Sequence, residues 1–165
     1  MFCRERVKLG LNKKHLNAAE LQEFLDEKKI LPADPMTPYI VKAELDVDSD
    51  GRMKYNILMT SRHLIEEHLS PGSSDLLGID HTYSLNCEGC PIMVCGNITQ
   101  SGVFCPLFFV IGNREDAANT SFALDWIKST ADVLPQALMA DGSPTFSKAL
   151  RTSWPDEDVS RLMCK

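Results

Sequence analysis

The sequence predicts an α/β protein: a mixed sheet of three antiparallel strands, a crossover helix and a parallel fourth strand, flanked by helices and preceded by a small α+β segment. Three observations carry this expectation. Three apolar runs, Leu76 to Leu85, Ile92 to Thr99 and Phe104 to Ile111, follow one another across short polar, glycine-containing connections, as hairpin strands do. A helical pattern from Asn113 to Thr130 then intervenes before a fourth apolar run, Ala137 to Ala140, and such a helix returns the chain for a strand parallel to an earlier one. Finally, Leu107-Phe108-Phe109-Val110-Ile111 is apolar at both parities, which predicts helices over both faces of the sheet.

Residues 1–74 form the preceding segment. Asn17 stands three residues before Glu20, the spacing of a capping box, and Leu21, Phe24 and Leu25 then make an apolar helix face that Pro32 stops. Tyr39 to Val47 and Met53 to Met59 read as strands joined through Asp48-Ser49-Asp50-Gly51, an Asp-Gly hairpin turn. A short helix from Arg62 to Leu69 leads to the linker Ser70-Pro71-Gly72-Ser73-Ser74.

Residues 75–165 form the second segment. Asn113 is expected to cap the long helix, with Glu115 and Asp116 in its first turn facing the positive end of the helix dipole. Phe122, Trp126 and Ile127 recur at helical spacing and read as core, not as base-stacking groups. Ser143-Pro144 reads as a cap and first helical residue of a helix reaching about Thr152. The last apolar run, Val159 to Cys164, reads as a strand, and the chain stops inside it, as a fragment would.

At 165 residues the chain can bury one core of ordinary size plus an appendage. Its 44% apolar and 24% charged content is that of a globular protein and argues against disorder. No apolar run approaches the ~20 residues of a membrane span, and the first residues lack a secretory pattern. An intracellular protein with mostly reduced cysteines is expected. The triplets Asn97-Ile98-Thr99 and Asn119-Thr120-Ser121 then carry no weight as glycosylation sites. A net charge of −6 opposes a simple nucleic-acid binder, which shows a basic stripe.

Asp80 and Asp141 are the candidate site. Each stands where an apolar strand gives way to polar residues, Leu76-Leu77-Gly78-Ile79 before Asp80 and Ala137-Leu138-Met139-Ala140 before Asp141. If the fourth strand of this sheet pairs with its first, the two acids lie on neighbours ~4.8 Å apart. Carboxylates so placed repel unless cations hold both ionised, and their hard oxygens suit Mg²⁺ better than zinc.

Beyond the residues' own chemistry there is a resemblance. Leu77-Gly78-Ile79-Asp80-His81-Thr82-Tyr83 resembles the first-acid strand of Mutator-like element (MULE) transposases. The downstream order is also similar: Cys105-Pro106-Leu107-Phe108, then Asn113-Arg114-Glu115 with Phe122 and Trp126, then Met139-Ala140-Asp141-Gly142, and Trp154-Pro155 before Leu162-Met163-Cys164. It covers Asp75 to Lys165, with Ile30-Leu31-Pro32 and Thr60-Ser61-Arg62 resembling the region ahead of the domain. The resemblance implies a ribonuclease H-like fold, truncated at its C-terminus, and an Asp-Asp-Glu site for metal-dependent DNA strand cleavage and transfer. It implies Asp80 and Asp141 as catalytic acids and ligands of Mg²⁺ or Mn²⁺, transposon-end DNA as partner, a nuclear location and room for a homo-oligomer. No residue matches the third acid, so inactivity of the chain as it stands is expected. The alternative is a domesticated, transposon-derived DNA- or protein-binding domain without catalysis, which the acidic charge favours.

Other motifs read more plainly. Cys87-x-x-Cys90 is the weaker alternative, a zinc or redox module, but only Cys95 and Cys105 stand in range as further ligands, both on predicted strands. Asp46-Val47-Asp48-Ser49-Asp50-Gly51 imitates a calcium loop, yet Ile57 occupies the place of the bidentate Glu, so it reads as a turn. His81 is expected to point to the opposite face from Asp80, while His63 and His68 are expected to face solvent.

Overall fold

The computed structural model describes residues 17–70, 76–83, 89–131 and 134–163. The elements are α1 (Ala18–Lys28), β1 (Tyr39–Val47), β2 (Met53–Thr60), α2 (Arg62–His68), β3 (Leu76–Thr82), β4 (Ile92–Ile98), β5 (Phe104–Gly112), α3 (Ala117–Thr130), β6 (Ala137–Ala140), α4 (Pro144–Ser153) and β7 (Ser160–Met163). The seven strands form one mixed sheet in the order β1-β2-β5-β4-β3-β6-β7. β3, β4 and β5 pair antiparallel as consecutive hairpins, while β6 pairs with β3, and β7 with β6, in parallel.

The first hairpin is not set apart from this sheet. β2 pairs antiparallel with β5, so β1 and β2 extend it on one side. Their turn is built as the sequence suggests. Asp48 accepts the amides of Asp50 and Arg52 on its carboxylate, and Gly51 takes a φ of +76° that other residues rarely adopt.

Side-chain parity assigns each residue to a face. The row Leu58, Val110, Met93, His81 runs straight across β2, β5, β4 and β3. Leu58, Val110 and Met93 are fully buried under α3 and α4, which supply Phe122, Leu124, Trp126, Ile127, Phe146 and Ala149 to the main core. Phe108 and Trp126 meet edge to face at 5.2 Å and 79°, a geometry aromatic quadrupoles favour. Trp154 closes the layer, its indole N–H donating to the carbonyl of Leu124.

The opposite face differs from expectation. α1 covers β1 and β2 there, packing Leu21 and Leu25 on Ile40 and Ile57 in a second, smaller core. Phe109 opposes Met59 and Val94 in register on that same face, yet remains 42% exposed. The apolar run in β5 is therefore covered by helices on one face and, among the described residues, left largely open on the other. A bulge in β5 between the partners of Cys95 and Gly96 adjusts the parity, so Phe104, opposite Ile98, joins Phe109 on the open face. Gly96 is required at this bulge: a Cβ there would lie 2.2 Å from the carbonyl oxygen of Cys105.

Two helix boundaries correct the sequence reading. α1 ends at Lys28, with Lys29 as its C-cap, and Ile30 and Leu31 beyond it are exposed. The capping box at its other end, Asn17 with Glu20, is present in both directions. α3 begins at Ala117 rather than after Asn113, because Asp116 caps it by accepting the Asn119 amide. Asn113 instead ties the loop to β2, accepting from the Tyr55 amide and donating to the Met53 carbonyl. β3 ends at Thr82, and the expected continuation to Leu85, with most of the Ser70–Ser74 linker, lies outside the described residues.

Candidate acid-pair site

β3 and β6 carry the two acids. Their parallel register runs Leu76 with Ala137, Leu77 with Leu138 and Gly78 with Met139. Asp80 stands two residues beyond the last of these pairs on β3, and Asp141 two residues beyond it, just past the end of β6, so both acids lie at the same end of the paired strands. Leu77, Ile79, Leu138 and Ala140 are buried and anchor both strands, so the acids emerge together where the core ends, and both are exposed. The notion that the first and fourth strands of the crossover unit lie side by side holds.

The two acids are held differently. Asp80 sits on a regular rung of the β3–β4 ladder, opposite Val94 on the open face. Asp141 lies past the last rung between β3 and β6. One of its carboxylate oxygens accepts the Ser143 amide at 3.0 Å, in the tight turn that leads into α4. Ser143 in turn caps α4 by accepting the Thr145 amide at 3.2 Å. Asp141 thus performs the turn-acid role as well, and its second oxygen is left for another ligand.

Both acids line one small cleft with His81, Glu115, Ser143 and Thr145. Its free volume is about 10 Å³, the scale of a single water or a bare ion. His81 lies on the helix-covered face, as its parity requires, and its Nδ1 stands 3.9 Å from Glu115. Its Nε2 is buried with no hydrogen-bond partner among the described groups. Glu115 was expected in the first helical turn; because Asp116 is the cap, Glu115 falls just before the helix and reaches the cleft. Arg161 on β7 grips the turn that carries Asp141. Its guanidinium donates to the Asp141 carbonyl at 2.9 Å, to the Ser143 carbonyl at 3.3 Å and to the Ser147 hydroxyl, and lies over the Phe146 ring.

Two level carboxylates match a hard divalent cation in donor type. Mg²⁺ commonly takes one or two carboxylates and fills the rest of its octahedron with water and substrate phosphates. Among the described residues no three His, Cys, Asp or Glu side chains converge to hold a metal by themselves, so water or phosphate would have to complete the shell.

Elsewhere the structure settles the minor motifs. Cys87 lies outside the described residues; Cys90 stands 3.2 Å from the Tyr55 hydroxyl, and Cys95 is fully buried, where desolvation pushes its thiol pKa up. His68 is not the solvent-facing residue expected: the buried Asn97 amide reaches both its ring and its carbonyl. Burial lowers the pKa of His68, against an opposing pull from Glu67, with His63 lowering it further. Asn97 and Asn119 are both buried, and Asn119 donates to Asn56, so neither is presented as a glycan acceptor. Among the described residues no helix is long and apolar enough to cross a membrane.

Arg161 and Glu115 were not read from the sequence as site residues. A charged residue inside the apolar run Val159 to Cys164 was the available signal for Arg161, whereas Glu115 was masked by the misplaced helix start. Comparison of the chain with protein-family models, with curated proteins and with solved structures gives no match.

Proposed function

We propose that this chain carries part of a DDE-type transposase of the Mutator-like kind, built on a ribonuclease H-like sheet and directed at phosphodiester chemistry on DNA. The observation that carries the reading is the parallel register of β3 and β6, which brings Asp80 level with Asp141 at the end of the core. The strand order β5-β4-β3-β6-β7, with its three hairpin strands and helical crossover, supports it. So does the small size of the shared cleft, about 10 Å³, which suits an ion and is far below what a small organic substrate needs.

In this reading Asp80 and Asp141 hold Mg²⁺ or Mn²⁺. Such a cation, when bound, would sharpen an attacking water or 3′ hydroxyl and stabilise the leaving oxygen. The chain's own part is to fix two carboxylates at one level, one on a strand ladder and one in a turn that already uses an oxygen on Ser143. No residue of the chain is matched to the third acid of the family, so we propose that it binds the cation without completing strand transfer. A net charge of −6 leaves little to attract DNA phosphates apart from that cation. Titration with Mn²⁺ followed by NMR is expected to broaden resonances around both acids. Silence at both, or equal Mn²⁺ binding by the Asp80→Ala variant, would remove the basis of the proposal.

A derived, non-catalytic binding domain is the second reading, and one observation favours it. The open face carries an almost wholly apolar groove of about 430 Å³ between Met36, Pro38, Met59, Leu64, Phe109 and Ile111. DNA binding that survives both chelator and the Asp80→Ala change would favour this reading over the metal-dependent one.

A further inference from the structure

We propose that Arg161 is the positioning residue of the acid pair, the group that places Asp141 level with Asp80. This rests on the acid-pair reading and adds a residue that neither composition nor the resemblance assigns.

The need for such a residue follows from the ladders. The bonds between β3 and β6 end at Gly78 and Met139, and those between β6 and β7 at Ala140 and Met163. Asp141 lies beyond both, so no strand pairing fixes its backbone. Asp80 needs no such help, being paired with Val94 and followed by two further rungs.

Arg161 supplies the missing constraint from across β6. It pairs in register with Leu138, whose side chain is buried, and its guanidinium extends along the sheet to the turn. Nη2 is shared by the carbonyls of Asp141 and Ser143, while Nη1 takes the Ser147 hydroxyl in the first turn of α4. The plane rests over Phe146, 5.6 Å from the ring centroid, and Phe146 is itself buried in the main core. One planar fork therefore joins the end of β6, the turn and the start of α4. With its carbonyl held by Arg161 and one carboxylate oxygen by the Ser143 amide, Asp141 keeps little freedom except the direction of its second oxygen. A lysine ammonium has no second arm to span carbonyl and hydroxyl at once.

The test compares wild type, Arg161→Gln and Arg161→Lys, all in the full chain, with Mn²⁺ as probe. Affinity is read by paramagnetic broadening at a temperature well below melting, and the turn is read by hydrogen exchange at the Ser143 amide. Arg161→Gln is expected to weaken Mn²⁺ about tenfold, at the lower end for groups that orient metal ligands, and to speed Ser143 exchange by a similar factor. Broadening near Asp80 should persist while that near Asp141 fades, the Trp126 indole should exchange as in wild type, and Arg161→Lys should recover part of the affinity. Should Arg161→Gln fail to fold, Ser147→Ala removes one partner of the fork and is expected to weaken Mn²⁺ in the same direction. If wild type shows the broadening and the folded variants match it, Arg161 has no positioning role. If wild type shows none at either acid, the pair itself is refuted and this proposal with it.

Discussion

Neutralising Asp80 gives the sharpest prediction, because the sign of its effect should invert with metal. Asp80 and Asp141 each stand two residues past the last β3–β6 pair, and at ordinary strand spacing their carboxylates would lie about 5–6 Å apart. At the dielectric constant of water two such charges repel by roughly 0.7–0.8 kcal/mol, and physiological salt halves this to about 0.4 kcal/mol. Both side chains are exposed, so the high-dielectric figure is the appropriate one. Asp80→Asn keeps the shape and removes the repulsion. In chelator the variant is expected to melt about 1–2 °C above wild type, at 2–4 °C per kcal/mol for a domain of this size. With Mn²⁺ at a hundred times its dissociation constant, wild type should gain about 2.7 kcal/mol, or roughly 5–10 °C, and overtake the variant. Thermal melts by circular dichroism in chelator and in Mn²⁺ read both halves. The paired-acid cation site is refuted if the order of the two melting temperatures is the same in both solutions, or if Mn²⁺ raises both proteins equally.

The remaining predictions concern the frame that holds the site. Phe108→Ala, at a fully buried position packed on Trp126, should cost about 3–5 kcal/mol in urea unfolding. Gly96→Ala forces a methyl to within 2.2 Å of the Cys105 carbonyl, so it should destabilise by at least about 1–3 kcal/mol and shift amide resonances along β4 and β5. Asn119→Ala strips Asn56 of its buried partner and should cost about 1–3 kcal/mol by the same urea assay. His68 gives a pH dependence. Its pKa is lowered by burial, so as pH falls below its ordinary value of 6.5 the unfolded chain takes the proton first. That contribution to stability is complete above pH 6.5 and is lost as pH falls through the folded value. His68→Gln should therefore lose less stability than wild type between pH 7 and pH 5.

What could be read in the sequence was whatever local pattern decides. Alternating apolar runs located every strand, and Asp48 to Gly51 declared their turn because only certain residues adopt its backbone. The positions of Asp80 and Asp141 at strand ends were legible because each directly follows an apolar run. Long-range partners were not legible. Asn113 looked like a cap until Tyr55 and Met53, nearly sixty residues away, claimed its side chain. Phe109 looked buried because five consecutive apolar residues fit a two-sided sheet; which face a helix covers depends on connections that periodicity does not encode. Arg161 stood out only as a charge within an apolar run, because its partners are Asp141, Ser143 and Ser147, brought near by the β6–β7 pairing.

The union of the first hairpin with β5 bears on any attempt to divide this protein. A fragment starting near Asp75 would strip β2 from β5 and leave the amides and carbonyls of residues 109–112 without their mates, beside an aromatic side chain already half in solvent. Bare, flat, greasy borders of that kind recruit other chains. The segment ahead of the acids therefore acts as a guard along that border, and trimming it away should leave a sticky edge.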